Sequence, residues 1–374
     1  MPAQPAIVFI THSTLLGGAM LAGVRLMEQC REWGYPVYAI THKRGELQER
    51  VESTALGCMN ACAFPYPRQP ISWLRVPSFR YCGHRFFSHS KEPRIYFSLD
   101  VLSLWAALWL KRPQDKVISL WQGEYRFNDK SCAHKWLRYG AAKADVLCAS
   151  LPIVEHTTRC GVLPKPVCEL NPNLNTARFD PARYDREKLR RSYGFDQGPP
   201  TAVCVGRIGE GKGQWALAQA FAEDGSLQSR WRLVLVGPAD QEDAIMLEQL
   251  CRKVPDGRLI WLGARQDIPE LYHAADLALA PGKIQESFGM AHAEAVLMGK
   301  PFITYANGAI PVVLGRDFPG LVDVNQPITG FIQRWKDESW LLQLEQQAPV
   351  FREQLLQRFG MAAWQRGLAR VIEQ

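Results

Sequence analysis

A chain of 374 residues with 47% apolar and 22% charged residues is long and apolar enough for two cores, which excludes a disordered or low-complexity protein. The net charge of +7 is uneven: residues 1–190 carry 26 Lys and Arg against 16 Asp and Glu, and the remainder 18 against 21. The two halves are therefore expected to face different partners. Ten cysteines are scattered without a CxxC pair, and the nearest two, Cys58 and Cys62, have no second pair at zinc-ligand spacing. Buried thiols in a reducing compartment are expected.

In chain order, Ala6–Ile10 is a short apolar run ended by His12 and lacking a basic flank, so it reads as a first core strand and not as a signal peptide. A helix over Ala19–Trp33 follows, then strands at Pro36–Ile40, Arg94–Ser98, Lys116–Leu120, Asp145–Ala149 and Val167–Leu170. Val101–Leu110 is too short to span a bilayer and is bounded by Asp100 and Lys111, which predicts a buried helix. The second half offers strands at Thr201–Val205, Trp231–Val236, Leu259–Leu262, Leu277–Ala280 and Pro301–Thr304. Between them fall helices at Gly213–Ala222, Asp240–Lys253 and Gly289–Met298. Near-continuous apolar strands alternating with helices predict an α/β chain with parallel sheets covered on both faces. Two such series, joined near Asn171 to Asp185, predict two Rossmann-like domains. Arg352–Glu373 reads as one amphipathic helix, with Phe359, Trp364 and Leu368 at helical spacing.

Two segments carry chemistry. In GKIQESFGMAHAEAVLMGKPFI, Gly282 to Ile303, Glu286 and Glu294 stand eight residues apart around a Ser-Phe-Gly turn. A helix beginning near Gly289 presents free N–H groups and a positive dipole end at Ser287, Phe288, Gly289 and Met290, an arrangement that suits a diphosphate. Glu286 then lies at the mouth of the loop. Glu294 lies just over one turn into the helix, placed to accept hydrogen bonds from ribose hydroxyls. In VCVGRIGEGKGQ, Val203 to Gln214, a strand runs into a loop where Gly206, Gly209, Gly211 and Gly213 permit tight turns and Arg207 and Lys212 supply two cations. Taken alone, that loop is also an ordinary strand-to-helix connection.

The order of these segments resembles the donor domain of glycosyltransferase family 4. The family pattern G-R-x4-K-G is matched by Gly206, Arg207, Lys212 and Gly213, and E-x7-E by Glu286 and Glu294. Gly237 after the LVLV strand and Ala275-Asp276 before the LALAP strand agree as landmarks. The resemblance implies a GT-B fold: two Rossmann-like domains facing across a cleft, with a C-terminal helix returning to the first. The implied division is 1–184 for the acceptor, 185–351 for the donor and 352–374 for the returning helix. It also implies a retaining, metal-independent hexosyltransferase with no cofactor beyond a UDP- or GDP-sugar co-substrate. Arg207 and Lys212 would hold the pyrophosphate, Glu286 the donor sugar and Glu294 the ribose. The departing phosphate oxygen would take the acceptor proton, so no enzymic base is required. In the first half, THSTLLGGAM (Thr11 to Met20) resembles the family's glycine-rich loop, with Gly17 and Gly18 allowing close approach of acceptor and donor phosphate. Two positions depart from the pattern: Gln122 stands where many members have His, and Val312 where many have Glu.

Residues 68 to 94 interleave Arg68, Arg75, Arg80, Arg85, Lys91 and Arg94 with Trp73, Phe79, Tyr81, Phe86 and Phe87. Such a segment is either a solvated loop with its aromatics docked on the core or a patch that meets an anionic membrane surface. A nucleic-acid partner is not expected, because no RNA-binding module accompanies it. The expected role is transfer to a glycan or lipid-linked acceptor in lipopolysaccharide, O-antigen or capsule assembly. The expected location is cytoplasmic, peripheral on the inner face of the membrane. The competing readings are a catalytically silent GT-B scaffold that binds nucleotide or glycan and a GT-B-fold nucleotide-sugar epimerase. No pyridoxal-lysine setting marks a phosphorylase, and no dinucleotide fingerprint follows the first strand. His273 and His292 sit within helix patterns and read as structural.

Overall fold

The computed structural model describes residues 4–12, 18–42, 45–61, 74–88, 91–121, 139–160 and 167–374. The chain divides into two compact units, one of residues 1–173 with 362–374 and the other of residues 174–361.

Among its described residues the first unit has seven parallel strands: β1 (Ala6–Thr11), β2 (Val37–Thr41), β3 (Gly57–Asn60), β4 (Arg94–Ser98), β5 (Lys116–Trp121), β6 (Val146–Ala149) and β7 (Cys168–Glu169). They lie in the order β3-β2-β1-β4-β5-β6-β7. Every residue of β1 is buried, with Ile7 level with Val37 on one side and Ile95 on the other. Burial on both faces is why these strands read as unbroken apolar runs. β3 escaped the sequence reading because GCMN is not an apolar run; as the edge strand it is only half-buried. Helix Val101–Leu110 forms as expected, with Leu104, Ala106 and Ala107 fully buried. Its start is fixed by a reciprocal cap: the Ser103 N–H donates to the Asp100 carboxylate at 2.8 Å, and the Asp100 N–H donates to Ser103 Oγ at 2.9 Å.

The second unit has six parallel strands: β8 (Thr201–Val205), β9 (Arg232–Val236), β10 (Leu259–Trp261), β11 (Leu277–Ala280), β12 (Phe302–Tyr305) and β13 (Leu321–Val322). Their order is β10-β9-β8-β11-β12-β13. Its core gathers Leu217, Phe221, Leu233, Leu235, Phe331 and Trp335, with the Phe221 and Trp335 rings stacked 5.7 Å apart. Asp276, just before β11, accepts the Thr201 N–H at 2.7 Å and pairs with Arg190 at 2.9 Å and with Arg186. Burial opposes its ionisation, yet these donors overcome that opposition and hold its carboxyl below the ordinary range. The Ala275-Asp276 landmark thus ties helix Arg186–Tyr193 to the start of the sheet.

The division between units falls after Asn173 and after Met361, where the sequence suggested 184 and 351. Residues 174–184 belong to the second unit through Arg178, which donates to the Gln266 carbonyl, and through Asp180, which pairs with Arg352 at 3.2 Å. The expected single helix over 352–373 is two helices, Glu338–Phe359 and Met361–Glu373. Gly360 breaks it with an extended backbone, pressed so closely on the Leu356 carbonyl that a Cβ would overlap it. Residues 362–374 return to the first unit: Lys116 donates to the Ile372 carbonyl at 3.0 Å and Gln365 to Gln29 at 2.9 Å.

Among the described residues, Cys30, Cys148 and Cys204 are buried thiols, whereas Cys82 is exposed and Cys58 half-buried, so burial holds for only part of the set; Cys62 lies outside the described residues. No described helix is long and apolar enough to cross a membrane.

Candidate active site

In the second unit, β8 and β11 are the neighbours at which strand order reverses, and the loops leaving their carboxyl ends meet there. β8 runs into Gly206, whose carbonyl lies so near Gly237 that a Cβ on Gly237 would overlap it. The loop then closes in a 3-10 turn over Glu210–Lys212, and Gly213 (φ +73°) starts helix Gln214–Glu223 with no side-chain cap. A Cβ on Gly213 would overlap the Pro281 carbonyl oxygen, so this glycine is what lets the loop after β11 dock against the loop after β8. The Ile284 N–H donates to Gly211 O at 3.0 Å across the same seam.

The docking brings Lys212 and Glu286, 74 positions apart, into an ion pair, with the side chains 40% and 20% exposed. The Glu286 main chain is held from a third strand. The Ala309 N–H donates to its carbonyl at 2.9 Å, and Gly308 (φ +55°) lies so close that any Cβ there would press on the Glu286 backbone. Helix Met290–Leu297 starts from Gly289 (φ +85°), again without a side-chain cap. Two helix starts with uncapped N–H groups therefore flank the Lys212–Glu286 pair, which suits a doubly or triply charged anion. Arg207, in the loop after β8, is exposed.

The other sequence candidates differ in their placement. Ser287 and Glu294 are half-buried, and Glu294 is near enough to Tyr272 to help raise its phenol, although burial is the larger cause. The Phe288 ring is 2% exposed and packs edge-on to Phe359 at 5.3 Å, so its side chain anchors the loop and leaves only its backbone to face a ligand. Gly18 opens helix Gly18–Glu32; Gly17 and Gln122 lie outside the described residues. Val312 accepts a hydrogen bond from Arg358 through its carbonyl at 2.6 Å, a backbone role that needs no acid. His292 is buried against Phe302, and burial pushes it down to about 4, against the pull of Glu286 and with Lys212 adding to the fall. It is neutral at pH 7, as a core histidine is. His273 contributes its carbonyl to Lys300 at 2.7 Å. Among the described residues no three His, Cys, Asp or Glu side chains converge as a metal-ligand cluster.

The sequence reading missed one pair in the first unit. His12, directly after β1, places Nδ1 2.9 Å from Asp100, two residues after β4. No local pattern signals it; only the adjacency of β1 and β4 joins residues 88 positions apart.

Comparison with known proteins shows what this segment is similar to. Residues 185–332 match the family Glycosyl transferases group 1. D-inositol 3-phosphate glycosyltransferase of Segniliparus rotundus is 27% identical over 182 residues, 47% of this chain and 38% of that protein. The lipopolysaccharide core biosynthesis mannosyltransferase LpsB of Rhizobium meliloti is 25% identical over 155 residues, 40% of this chain and 44% of that protein. The chain thus spans less than half the length of these two relatives. The crystal structure of Anabaena HepE in complex with UDP and glucose superposes with a TM-score of 0.75 at 18% identity, covering 99% of this chain and 100% of that one. The fold is that of the GT-B glycosyltransferases. The family match lies within the second unit, over the segment that carries the Lys212–Glu286 pair.

Proposed function

We propose that the protein is a retaining, metal-independent glycosyltransferase that moves a hexose-type sugar from a UDP- or GDP-sugar to a glycan or lipid-linked acceptor in surface-glycan assembly. The observation that supports it most is the Lys212–Glu286 pair, flanked by two uncapped helix starts at the reversal point of the second sheet, with Arg207 exposed in the loop after β8. In this reading the diphosphate draws Lys212 from Glu286, and Arg207 joins it. Glu286 is then released to the donor sugar and Glu294 to the ribose. Two cations and two helix dipoles neutralise the charge that grows on the leaving diphosphate, the task a divalent ion performs elsewhere. HepE binds UDP and glucose, and LpsB is a mannosyltransferase of lipopolysaccharide core synthesis; both names favour the same substrate class.

The test is a panel of UDP-, GDP- and ADP-sugars assayed for slow donor hydrolysis in EDTA. One nucleoside diphosphate should be released by the wild type and not by Glu286→Ala or Arg207→Ala. Nucleotide binding without release would favour a silent scaffold, and neither binding nor release would sink the donor-site assignment.

The reading extends to a cytoplasmic location at an anionic membrane face, in a narrower form than residues 68–94. Arg94 is buried in β4 with its guanidinium 4.3 Å from the Phe87 ring, and Phe79 and Phe87 are core residues. These side chains cannot meet a lipid surface. Leu74, Arg75, Arg80, Tyr81 and Arg85 remain exposed on and beside helix Val76–Phe86. The wild type should float with vesicles containing phosphatidylglycerol and lose most of that binding when Arg75, Arg80 and Arg85 become Glu. Equal flotation of the two proteins would refute the patch.

A further inference from the structure

The amino ends of β11 and β12 lie at the end of the second sheet away from the loops that carry Lys212 and Glu286, and three cations gather there on the last turn of helix Ile268–Ala274. Lys300 Nζ donates to the His273 carbonyl at 2.7 Å and to the Ala275 carbonyl at 3.1 Å. Arg186 donates to the same two carbonyls at 3.2 and 3.3 Å, and Arg190 donates to the Ala274 carbonyl at 2.9 Å. The last carbonyls of a helix attract cations, so capping explains why they gather. It does not explain the charge balance. Asp276 is shared by the two guanidiniums, and among the described residues no carboxylate pairs with Lys300. Burial pushes the Lys300 amine down to about 7; Arg186 and Arg190 add to the fall, and Asp276 and Glu345 oppose it. At pH 7 about half of it is free base, against less than about one part in a thousand of an ordinary lysine. In that free base two N–H bonds serve the two carbonyls, and the lone pair takes the remaining direction, where no protein acceptor is found among the described residues.

Lys300 lines a cavity of about 520 Å³ together with Arg186, Glu338 and Glu345, and Trp231 and Leu341 give that cavity an apolar wall. Such a space admits a small uncharged electrophile. We propose that Lys300 is a carbamylation site that takes up carbon dioxide. The Nζ lone pair bonds to the carbon of CO2, one C–O π pair moves onto oxygen, and one Nζ proton passes to water. The product is a lysine carbamate, an anion formed without oxidation or reduction. Its remaining N–H keeps one of the two carbonyls, and its carboxylate gives Arg186 a second anion beside Asp276. One cation is thereby replaced by one anion where cations are in excess. A lysine that only capped the helix would do so as an ammonium, with no lone pair to offer. The inference is independent of the glycosyl-transfer reading, since it uses neither Lys212 nor Glu286.

The experiment equilibrates the full chain with carbon-13 bicarbonate and its dissolved CO2 at about pH 7.5, where ordinary lysines are almost wholly protonated. Carbamate is read by carbon-13 NMR, then fixed by ethylation with triethyloxonium and located by peptide mass. Lys300 should carry the trapped carboxyl group, while the exposed Lys188 and Lys253 stay unlabelled. At constant dissolved CO2 the occupancy should rise with pH, because each adduct formed releases a proton. Lys300→Arg, which keeps a cation at the helix end, should lose the carbamate resonance, and Arg186→Gln should lower occupancy several-fold. The wild-type peptide locates the adduct by itself, so the test stands even if Lys300→Arg does not fold. Folded wild type without an adduct on Lys300 would overturn the proposal. So would labelling of Lys188 and Lys253 to the same extent as Lys300.

Discussion

Lys212→Met is expected to lower kcat/KM for donor turnover about 1,000-fold, equivalent to about 4 kcal/mol of transition-state stabilisation. Methionine keeps the length and apolar stem of the side chain, so the loss isolates the charge. In the structure that charge is matched by Glu286; in the proposed complex it moves to the diphosphate, whose own charge increases as the sugar departs. The interaction therefore strengthens along the reaction, the condition under which a contact raises kcat and not merely affinity. Folding should be little altered, because a half-exposed ion pair contributes about 1 kcal/mol or less. Donor turnover and UDP or GDP calorimetry on the same preparation check both parts. Turnover within threefold of wild type would remove Lys212 from the machinery.

Gly213→Ala should produce the largest structural effect. The position has φ +73°, a conformation costing an L residue about 1–2 kcal/mol, and its Cβ would meet the Pro281 carbonyl, backbone that cannot rotate aside. A loss of about 3 kcal/mol is expected, roughly 6–12 °C in the melting temperature of the second unit. Nucleotide affinity should be lost as well, since the same contact docks the two loops. Gly194→Ala is the control: its φ is +68°, but nothing lies within 4 Å of the added Cβ, so only the conformational cost applies. Equal destabilisation by the two substitutions would show that the contact with Pro281 is unimportant.

Much of this architecture was legible because burial writes itself into local composition. β4, β8 and β11 fall on the residues expected, since a strand covered on both faces is mostly apolar along its length. β3 and β13 were not legible. Each lies at a sheet edge, and four residues of mixed character or two apolar ones leave no periodic signal. The break at Gly360 was missed because Phe359, Trp364 and Leu368 keep an amphipathic spacing across it. The second-unit loops could be placed from sequence because glycine, cation and carboxylate recur there at fixed separations. His12 and Asp100 could not, as their meeting depends on which strands are neighbours. Nor could composition separate the exposed Arg85 from the buried Arg94, whose partners, the Phe87 ring and Tyr96, come from the fold.

The return of residues 362–374 to the first unit also sets an order of events during synthesis. A domain usually folds as it emerges from the ribosome, the N-terminal one first. Here the second unit is one continuous stretch, complete once Met361 is made, whereas the first still lacks the helix against which Lys116 and Gln29 close. The half that is translated first is therefore finished last, and it waits with an open flank while the second half matures.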